Sequence, residues 1–200
     1  SRRLGMAWTP RAVPVEVTLN GVYIGVYDLG EHVRVAPDRV AITETDDKTV
    51  GDPADGGYLV EMNERMDDPV CWRTVKTVAL CIKAPDPGST AQNDYIKTWM
   101  QSAEDSLYQA NPLDPATGYE SYYDIDSLID WYLINELFKN VDSAGYGSVF
   151  MYKDKGTKLH FGPVWDFDLG AGNTNYFDAT PQGLHTATGV WIARMKTIDP

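Results

Sequence analysis

Residues 161–170 read FGPVWDFDLG, and this stretch decides how the rest of the chain is interpreted. Its apolar start predicts a strand that leads into Asp166 and Asp168, two residues apart and followed by a glycine. If the backbone is extended, both carboxylates point to one face, because side chains alternate along a strand. Such oxygen ligands suit Mg²⁺, Mn²⁺ or Ca²⁺ better than zinc. The alternative is an ordinary aspartate-rich turn, but the apolar flanks and Trp165 favour a metal site.

Upstream of this stretch, the sequence predicts a helix that ends near another aspartate. Apolar residues recur at helical spacing over 125–137 and wrap most of the way around the helix, which is typical of a buried helix. Asp142 lies in the loop that follows, and residues 148–153 and 158–161 then predict a hairpin. A protein kinase active site has the same order of helix, aspartate, hairpin and second aspartate. Asp142 alone is equally well explained as a residue of a helix-ending turn.

The N-terminal half of the chain predicts antiparallel strands. Residues 13–29 alternate between apolar and polar around Asn20-Gly21, a dipeptide that favours a tight hairpin turn. Residues 37–40 predict a short helical turn, and 57–63 and 74–84 predict two further strands.

The pattern changes from strand to helix in the second half. Residues 90–110 carry apolar residues at helical spacing, and prolines break the pattern after them. We therefore expect an α+β fold in one domain. Residues 1–87 are expected to form a small, β-rich N-terminal part with a hinge, and residues 88–200 a helical lobe that carries the active-site loops.

The composition excludes several classes of function. The chain has 200 residues and a net charge of −12, and nucleic acid binding relies on clustered Lys and Arg, so no nucleic acid partner is expected. No apolar run approaches the roughly 18 residues of a membrane-spanning helix, so no membrane span is expected in this segment. No Ser or Cys lies in a nucleophile-elbow or papain-like context, which argues against hydrolysis by such a nucleophile.

The chain contains two cysteines, Cys71 and Cys81. They are too few for a disulfide framework, and neither a second pair nor suitably placed histidines accompany them to make a zinc site. A disulfide between adjacent strands and a pair of buried thiols explain these cysteines equally well at this point.

Several blocks of the sequence resemble, in order and spacing, those of the spore coat protein H (CotH) kinase family of atypical, kinase-like proteins. Together the blocks cover nearly the whole chain. They are VTLNGVYIGVYDLGE (17–31), GYLVE (57–61), IKAP (82–85), 126–136, NVD (140–142), MYKD (151–154), GPVWDFD (162–168) and 191–199.

The resemblance implies a protein-kinase-like fold that transfers the γ-phosphate of ATP to Ser or Thr hydroxyls of a protein substrate. It implies that Asp142 is the catalytic-loop aspartate and Asp166 a metal ligand, with Asp168 a second candidate ligand. The implied metal is Mg²⁺ or Mn²⁺, and Ca²⁺ is a further candidate. The resemblance also implies a secreted, cell-surface or spore-coat location.

The chain departs from a typical kinase at two places. About five residues after the catalytic aspartate a kinase has an Asn for the second metal, whereas Gly147 and Ser148 stand here, so Ser148 is the candidate ligand. A phosphate-covering loop and a strand Lys should also precede the hinge, so we expect this chain to be a fragment. Glu31, at the end of the first hairpin, and Lys83, on a nearby strand, are then the candidates for nucleotide contacts.

Two other functions stay open. One is a structural or binding module with a kinase-like fold that keeps a metal site without turnover. The other is a carbohydrate-active protein, which would need two carboxylates flanking an open cleft. The tyrosines of the predicted loops could stack on a nucleotide or a sugar, and they are Tyr119, Tyr122, Tyr123, Tyr146 and Tyr176.

Overall fold

The structure is a computed structural model, and it describes residues 5–174 and 180–198. Within those residues it has an α+β fold with antiparallel sheets, as the sequence predicts. The strands are β1 (Ala12–Leu19), β2 (Val22–Gly30), β3 (Tyr58–Met62), β4 (Cys71–Arg73), β5 (Ala79–Ala84), β6 (Val149–Lys153) and β7 (His160–Phe161). The helices are α1 (Thr90–Tyr108), α2 (Ile125–Phe138) and α3 (Val190–Ile198).

The first two strands form a separate hairpin. β1 and β2 pair antiparallel, and Asn20 and Gly21 make the turn between them with φ angles of 51° and 82°. A two-residue turn of this kind needs positive φ at both positions, which Asn and Gly adopt most readily. The predicted hairpin is confirmed. Most of its side chains are exposed on both faces of the ribbon.

The other five strands form one antiparallel sheet in the order β4-β5-β3-β6-β7. β3 lies in the middle of this sheet, and all of its residues are buried, which confirms the strand predicted over 57–63. Glu61 on β3 lies opposite Cys81 on β5 and opposite Phe150 on β6. Because directly paired residues share a face, these three side chains lie on the same face of the sheet.

The strand predicted over 74–84 is shorter than expected. β5 begins at Ala79, because a tight turn precedes it in which Thr77 has a φ of 69° and donates its N–H to the Thr74 carbonyl. β4 has no counterpart among the predicted strands, since three residues are too few to show an alternating pattern.

Cys71 and Cys81 lie opposite each other on β4 and β5 and form a disulfide. This settles the choice between a disulfide and two buried thiols. Asp68 lies close to the two sulfur atoms, but sulfur in a disulfide does not act as a thiolate ligand, so this group is not a metal site. A disulfide is compatible with an extracellular location.

One face of the sheet packs against the helices. α1 begins with a reciprocal cap between Ser89 and Gln92, and it ends at Tyr108, which confirms the helix predicted over 90–110. The residues that α1 buries in the main hydrophobic core are Ile96, Met100, Ala103 and Leu107.

Glu104 on α1 is fully buried and connects three parts of this core. Its carboxylate accepts hydrogen bonds from the Thr74 hydroxyl at 2.5 Å, the Lys76 N–H at 2.9 Å and the Trp191 indole N–H at 2.9 Å. The turn before β5 and helix α3 are therefore joined to α1 through one side chain.

The opposite face of β3 is covered by the segment that follows the hairpin. Leu59 and Phe150 pack with Val33 and Val40 in a second, smaller hydrophobic cluster, and Trp165 packs against it. The helical turn predicted over residues 37–40 is a single hydrogen-bonded turn inside this segment.

α2 is only partly buried, and the expectation of a helix buried on all sides is wrong. Asp124 caps its start, because its carboxylate accepts the Ser127 N–H at 2.9 Å. Ile129, Leu133 and Leu137 are exposed, because residues four positions apart share one face and this face does not meet the core.

The five-stranded sheet draws its strands from both predicted parts of the chain. β3, β4 and β5 precede residue 88, whereas β6 and β7 follow it and pair with them through β3. The division at 87 and 88 stays a prediction. Within the described ranges, none of the helices combines the length and the apolar character that crossing a membrane requires.

Candidate active site

Asp142 lies where α2 gives way to the next loop. Lys139 ends the helix with a left-handed φ of 46°, and Val141–Ala144 then form a 3-10 turn. Asn140 caps this turn, since its side-chain oxygen accepts the Asp142 N–H at 3.3 Å. Asp142 is only 7% exposed. The end of a packed helix therefore holds this aspartate.

Asp166 lies on a loop rather than on a strand. β7 ends at Phe161, and Asp166 has a left-handed φ of 59°. The prediction that the backbone is extended at Asp166 and Asp168 is therefore wrong. The buried Asn140 supplies a physical reason, because its amide also donates to the carbonyl oxygen of Asp166 at 3.3 Å. Non-glycine residues with such φ angles are found preferentially at functional sites.

Ser148 links Asp166 to the central strand. Its hydroxyl donates to the Asp166 carboxylate at 3.2 Å, and its backbone N–H donates to the carboxylate of Glu61 at 3.0 Å. Ser148 also has a left-handed φ, at 57°. Two non-glycine residues in the same unusual conformation therefore contact each other at this site.

Asp168 forms a pair with Asp166. The charge of Asp168 raises the pKa of Asp166, and the Asn173 side-chain amide donates to the Asp168 carbonyl oxygen at 2.6 Å. The carboxylates of Asp142, Asp166 and Asp168, which we call the acidic group, do not all lie within 4.8 Å of one another.

The acidic group is electrostatically suited to a cation. Burial raises the pKa of Asp142, and the charges of Asp166 and Asp168 raise it further. Burial and the charge of Asp168 likewise raise the pKa of Asp166, while the hydrogen bond from Ser148 opposes them. Carboxylates that repel one another are stabilised by a divalent cation between them. Carboxylate oxygens are the donor type that Mg²⁺ and Mn²⁺ prefer.

Lys83 is connected to the acidic group through Glu61. The Lys83 ammonium lies 2.7 Å from Asp68 and 3.3 Å from Glu61, which also accepts the Ser148 N–H. Burial acts to lower the pKa of Lys83, but the two carboxylates outweigh it and raise the pKa. A chain of polar contacts therefore runs from Lys83 through Glu61 and Ser148 to Asp166.

Glu31 lies at the end of the hairpin and pairs with two arginines. Its carboxylate is 2.5 Å from Arg11 and 3.2 Å from Arg39, and the hydrogen bonds from Arg11 lower its pKa to about 2. In the part of the chain that the structure describes, no hydrogen bond or ion pair joins Glu31 to the acidic group. Its role in nucleotide binding remains a proposal.

Residues 185 and 186 form hydrogen bonds to the loop that carries Asp142. The His185 ring is hydrogen-bonded to the Val141 carbonyl oxygen at 2.7 Å, and the hydroxyls of Ser143 and Thr186 are 2.7 Å apart. The Glu136 carboxylate on α2 accepts a hydrogen bond from the backbone N–H of His185 at 2.6 Å. These contacts join residues more than 40 positions apart, so no local sequence pattern could have identified them.

Three residues of the site have no predicted role. Asn140 caps the Asp142 turn and contacts the Asp166 backbone, and an Asn two positions before a buried Asp is the local signal that could have found it. Glu61 could have been noticed as an acidic residue inside an apolar strand. Arg65 carries no such signal, but its charge partly opposes the rise in the pKa of both Asp142 and Asp166.

The loop tyrosines differ in their surroundings. Tyr119 and Tyr123 are buried in the main core, so the expectation that they stack on a ligand is wrong. Tyr122 is partly buried against Trp99. Tyr146 is exposed next to the acidic group, where its N–H donates to the Asp142 carbonyl at 3.1 Å. Tyr176 lies outside the described residues.

A cavity of about 780 Å³ lies at the opposite end of α2 from Asp142. Residues 5–8, 37–41 and 160–163 form its walls together with the first turns of α2. None of the three aspartates of the acidic group lines it, so this cavity is separate from the candidate site.

Comparisons with known proteins agree with the resemblance seen in the sequence. Neither the curated proteins nor the solved structures contain a match to this chain. The profile of the family described as CotH kinase protein matches residues 2–199, which is almost the full length. With a match of this extent, the chain belongs to the CotH kinase family.

Proposed function

We propose that the protein is a metal-dependent phosphotransferase, which moves the γ-phosphoryl group of ATP to a Ser or Thr hydroxyl of a protein substrate. Its family supports a kinase-like function. The observation that carries the finer proposal is that the buried Asp142 and the pair of Asp166 and Asp168 come together through one side chain, Asn140.

Asp142 is the proposed proton acceptor. The acceptor hydroxyl transfers its proton to the Asp142 carboxylate as the hydroxyl oxygen bonds to the γ-phosphorus. The bond between that phosphorus and the bridging oxygen then breaks, and ADP leaves with the electron pair. The raised pKa of Asp142 suits this role, because a stronger base accepts a proton more readily.

Asp166 and Asp168 are the proposed metal ligands, and Ser148 is the weaker third candidate. When bound, Mg²⁺ or Mn²⁺ would neutralise charge on the nucleotide phosphates, and Ca²⁺ is a further candidate. Ser148 holds the Asp166 carboxylate in place at 3.2 Å. Lys83 is the proposed phosphate contact and Glu31 the proposed hinge contact of the nucleotide.

Thermal unfolding with ATP, with and without Mg²⁺ or Mn²⁺, tests this proposal. Stabilisation should require nucleotide and metal together, and it should be lost in Asp166→Ala. Asp126→Ala is the matched control, because Asp126 is an exposed carboxylate at the other end of α2. If ATP with metal stabilises the wild-type protein no more than metal alone does, the proposal of phosphotransfer is wrong.

A non-catalytic module with the same fold is the second candidate. It is favoured by Ser148, which occupies the region where a kinase has its second metal-binding Asn and here donates to Asp166. Lys83 also has two carboxylate partners of its own, Asp68 and Glu61. A module of this kind would bind metal but show no stabilisation that depends on ATP.

We also propose a location outside the cytoplasm, at the cell or spore surface. The disulfide between Cys71 and Cys81 supports this, because disulfides persist in oxidising surroundings. Fractionation of the native host, with detection of the protein in surface extracts, tests the location.

A further inference from the structure

Arg65 lies in a tight turn directly after β3. Its N–H donates to the Asn63 side chain at 3.0 Å, and Met66 follows with a left-handed φ of 50°. The buried Asn63 also donates to Asp67 at 2.8 Å, so one side chain organises the whole turn. The backbone that carries Arg65 is therefore held in a defined conformation.

This turn is attached to the loop that carries Asp142. The Glu64 N–H donates to the Tyr146 carbonyl at 2.8 Å, and the Tyr146 N–H donates to the Asp142 carbonyl at 3.1 Å. The Arg65 guanidinium lies 5.8 Å from the centre of the Tyr146 ring, within the range of a cation–π contact. Arg65 is thereby positioned beside the acidic group.

Arg65 also differs from the basic residues of this acidic chain that have a carboxylate partner. Arg73 is paired with Glu64, Lys83 with Asp68, and Lys155 with Asp55, each at 2.7 Å. Among the residues that the structure describes, Arg65 has no carboxylate within ion-pairing distance. Its donors are available to a ligand.

We propose that the guanidinium of Arg65 binds the γ-phosphoryl oxygens of the nucleotide and stabilises their charge during transfer. Arginine suits this role, because its planar fork of donors matches phosphate oxygens and it stays charged at all working pH values. The contact with the Tyr146 ring, and the hydrogen bonds that join Glu64 to Tyr146 and Tyr146 to Asp142, place the guanidinium beside the loop that carries the proposed base. This inference rests on the proposed phosphotransfer.

The test compares Arg65→Gln and Arg65→Lys with wild type, and Arg34→Gln is the control, because Arg34 is also exposed but lies outside the site. ADP formation from ATP and the thermal stabilisation by ATP and by ADP, each with Mg²⁺, are measured. Arg65→Gln should slow ADP formation about 100-fold, as for loss of one preorganised donor to a developing charge. It should also abolish the extra stabilisation by ATP over ADP, while stabilisation by ADP remains and Arg65→Lys recovers part of the rate.

Three results would overturn this role for Arg65. If the wild type is active and Arg65→Gln keeps its rate within about 2-fold, together with the preference for ATP over ADP, Arg65 does not contact the γ-phosphoryl group, and phosphotransfer itself stands. If the wild type neither forms ADP nor responds to ATP with metal, both proposals fail. A loss of unfolding temperature without ligand in Arg65→Gln but not in Arg65→Lys, with both remaining active, would indicate a structural role instead.

Discussion

The two sheets of this protein are held together in different ways. The β1–β2 hairpin is a ribbon with most side chains exposed, whereas every residue of β3 in the five-stranded sheet is buried. The hairpin rests on contacts between neighbours in the sequence and on its Asn-Gly turn. The larger sheet rests on contacts between distant segments, and it is this sheet that contacts the acidic group through Glu61 and Ser148.

The comparison indicates that stability and the candidate site belong to the same part of the molecule. An isolated two-stranded hairpin is marginally stable in water, so changes in it should affect the rest of the chain little. Changes in the five-stranded sheet should affect both unfolding and the geometry of the acidic group.

The largest effect is expected from Met151→Ala on β6. Met151 is fully buried, and truncating a buried Met leaves a cavity, so the free energy of unfolding should fall by about 3 kcal/mol. Val26→Ala in the hairpin, where Val26 is 62% exposed, should cost less than about 1 kcal/mol. Urea unfolding of both variants measures the difference. Equal losses would contradict the contrast between the two sheets.

The next effect is expected from removing the disulfide. Cys71→Ser combined with Cys81→Ser opens a loop with a sequence separation of 10, which should lower the free energy of unfolding by about 2–3 kcal/mol. Hydrogen exchange should become faster in β4 and β5 and stay unchanged in the hairpin. Wild type treated with a reductant is the control, and it should match the double variant. Faster exchange in the hairpin alone would mean that the two sheets are coupled in a way the contacts do not show.

A smaller effect is expected from Asn140→Ala. The side chain makes hydrogen bonds to Asp142, Asn135 and the Asp166 carbonyl, so its loss should cost about 1–2 kcal/mol. Metal-dependent stabilisation by ATP should weaken as well, because the two aspartate loops lose their common contact. Asn140→Asp keeps the acceptor for the Asp142 N–H but loses the donors, and it should be intermediate in stability. Unchanged nucleotide binding in Asn140→Ala would show that the loops are positioned by other contacts.

The smallest effects concern pH. Glu31, at the end of the hairpin, and the acidic group should change the free energy of unfolding in opposite directions as the pH rises. The pKa of Glu31 is lowered from 4.5 to about 2, so the stability it contributes is present above pH 4.5 and is lost as the pH falls toward 2. The pKa values of Asp142 and Asp166 are raised from 3.8, so their contribution is present below pH 3.8 and is lost as the pH rises through their folded-state pKa values.

Thermal unfolding without metal, across this pH range, measures both effects. Glu31→Gln should flatten the acid side of the profile, whereas Asp166→Asn should raise the unfolding temperature at neutral pH and leave it unchanged near pH 3. Added Mg²⁺ should remove the advantage of Asp166→Asn. If Asp166→Asn is less stable than wild type at neutral pH without metal, the carboxylates of the acidic group do not repel one another as described.

The parts of the fold that follow from local rules could be predicted. The hairpin follows from the φ preferences of Asn20 and Gly21, and α1 and α2 follow from the helical spacing of their apolar residues. β4 could not be predicted, because its three residues are a strand only through pairing with β5. The exposure of one apolar face of α2 could not be predicted either, because the spacing shows which residues are apolar but not which face of the helix packs against the core.

The candidate site divides in the same way. Asp142, Asp166 and Asp168 could be chosen because their order along the chain resembles a known family, and Ser148 because it stands where a typical kinase has an Asn. Their conformations could not be predicted. The left-handed φ of Asp166 accompanies a hydrogen bond from Asn140, and the position of Ser148 depends on Glu61 across the sheet. Their roles stay predictions until the variants are measured.

The double contact of Asn140 also determines where the chain could accept new residues. It joins the segments of Asp142 and Asp166 directly, so their separation in space does not depend on the length of the β6–β7 hairpin between them. The turn of that hairpin is exposed at residues 155–157, and the space around Gly156 is open. Exposed turns of this kind tolerate insertions best. A reporter domain inserted after Gly156 should therefore leave the positions of the acidic group unchanged. This turn is thus a suitable place to attach a label.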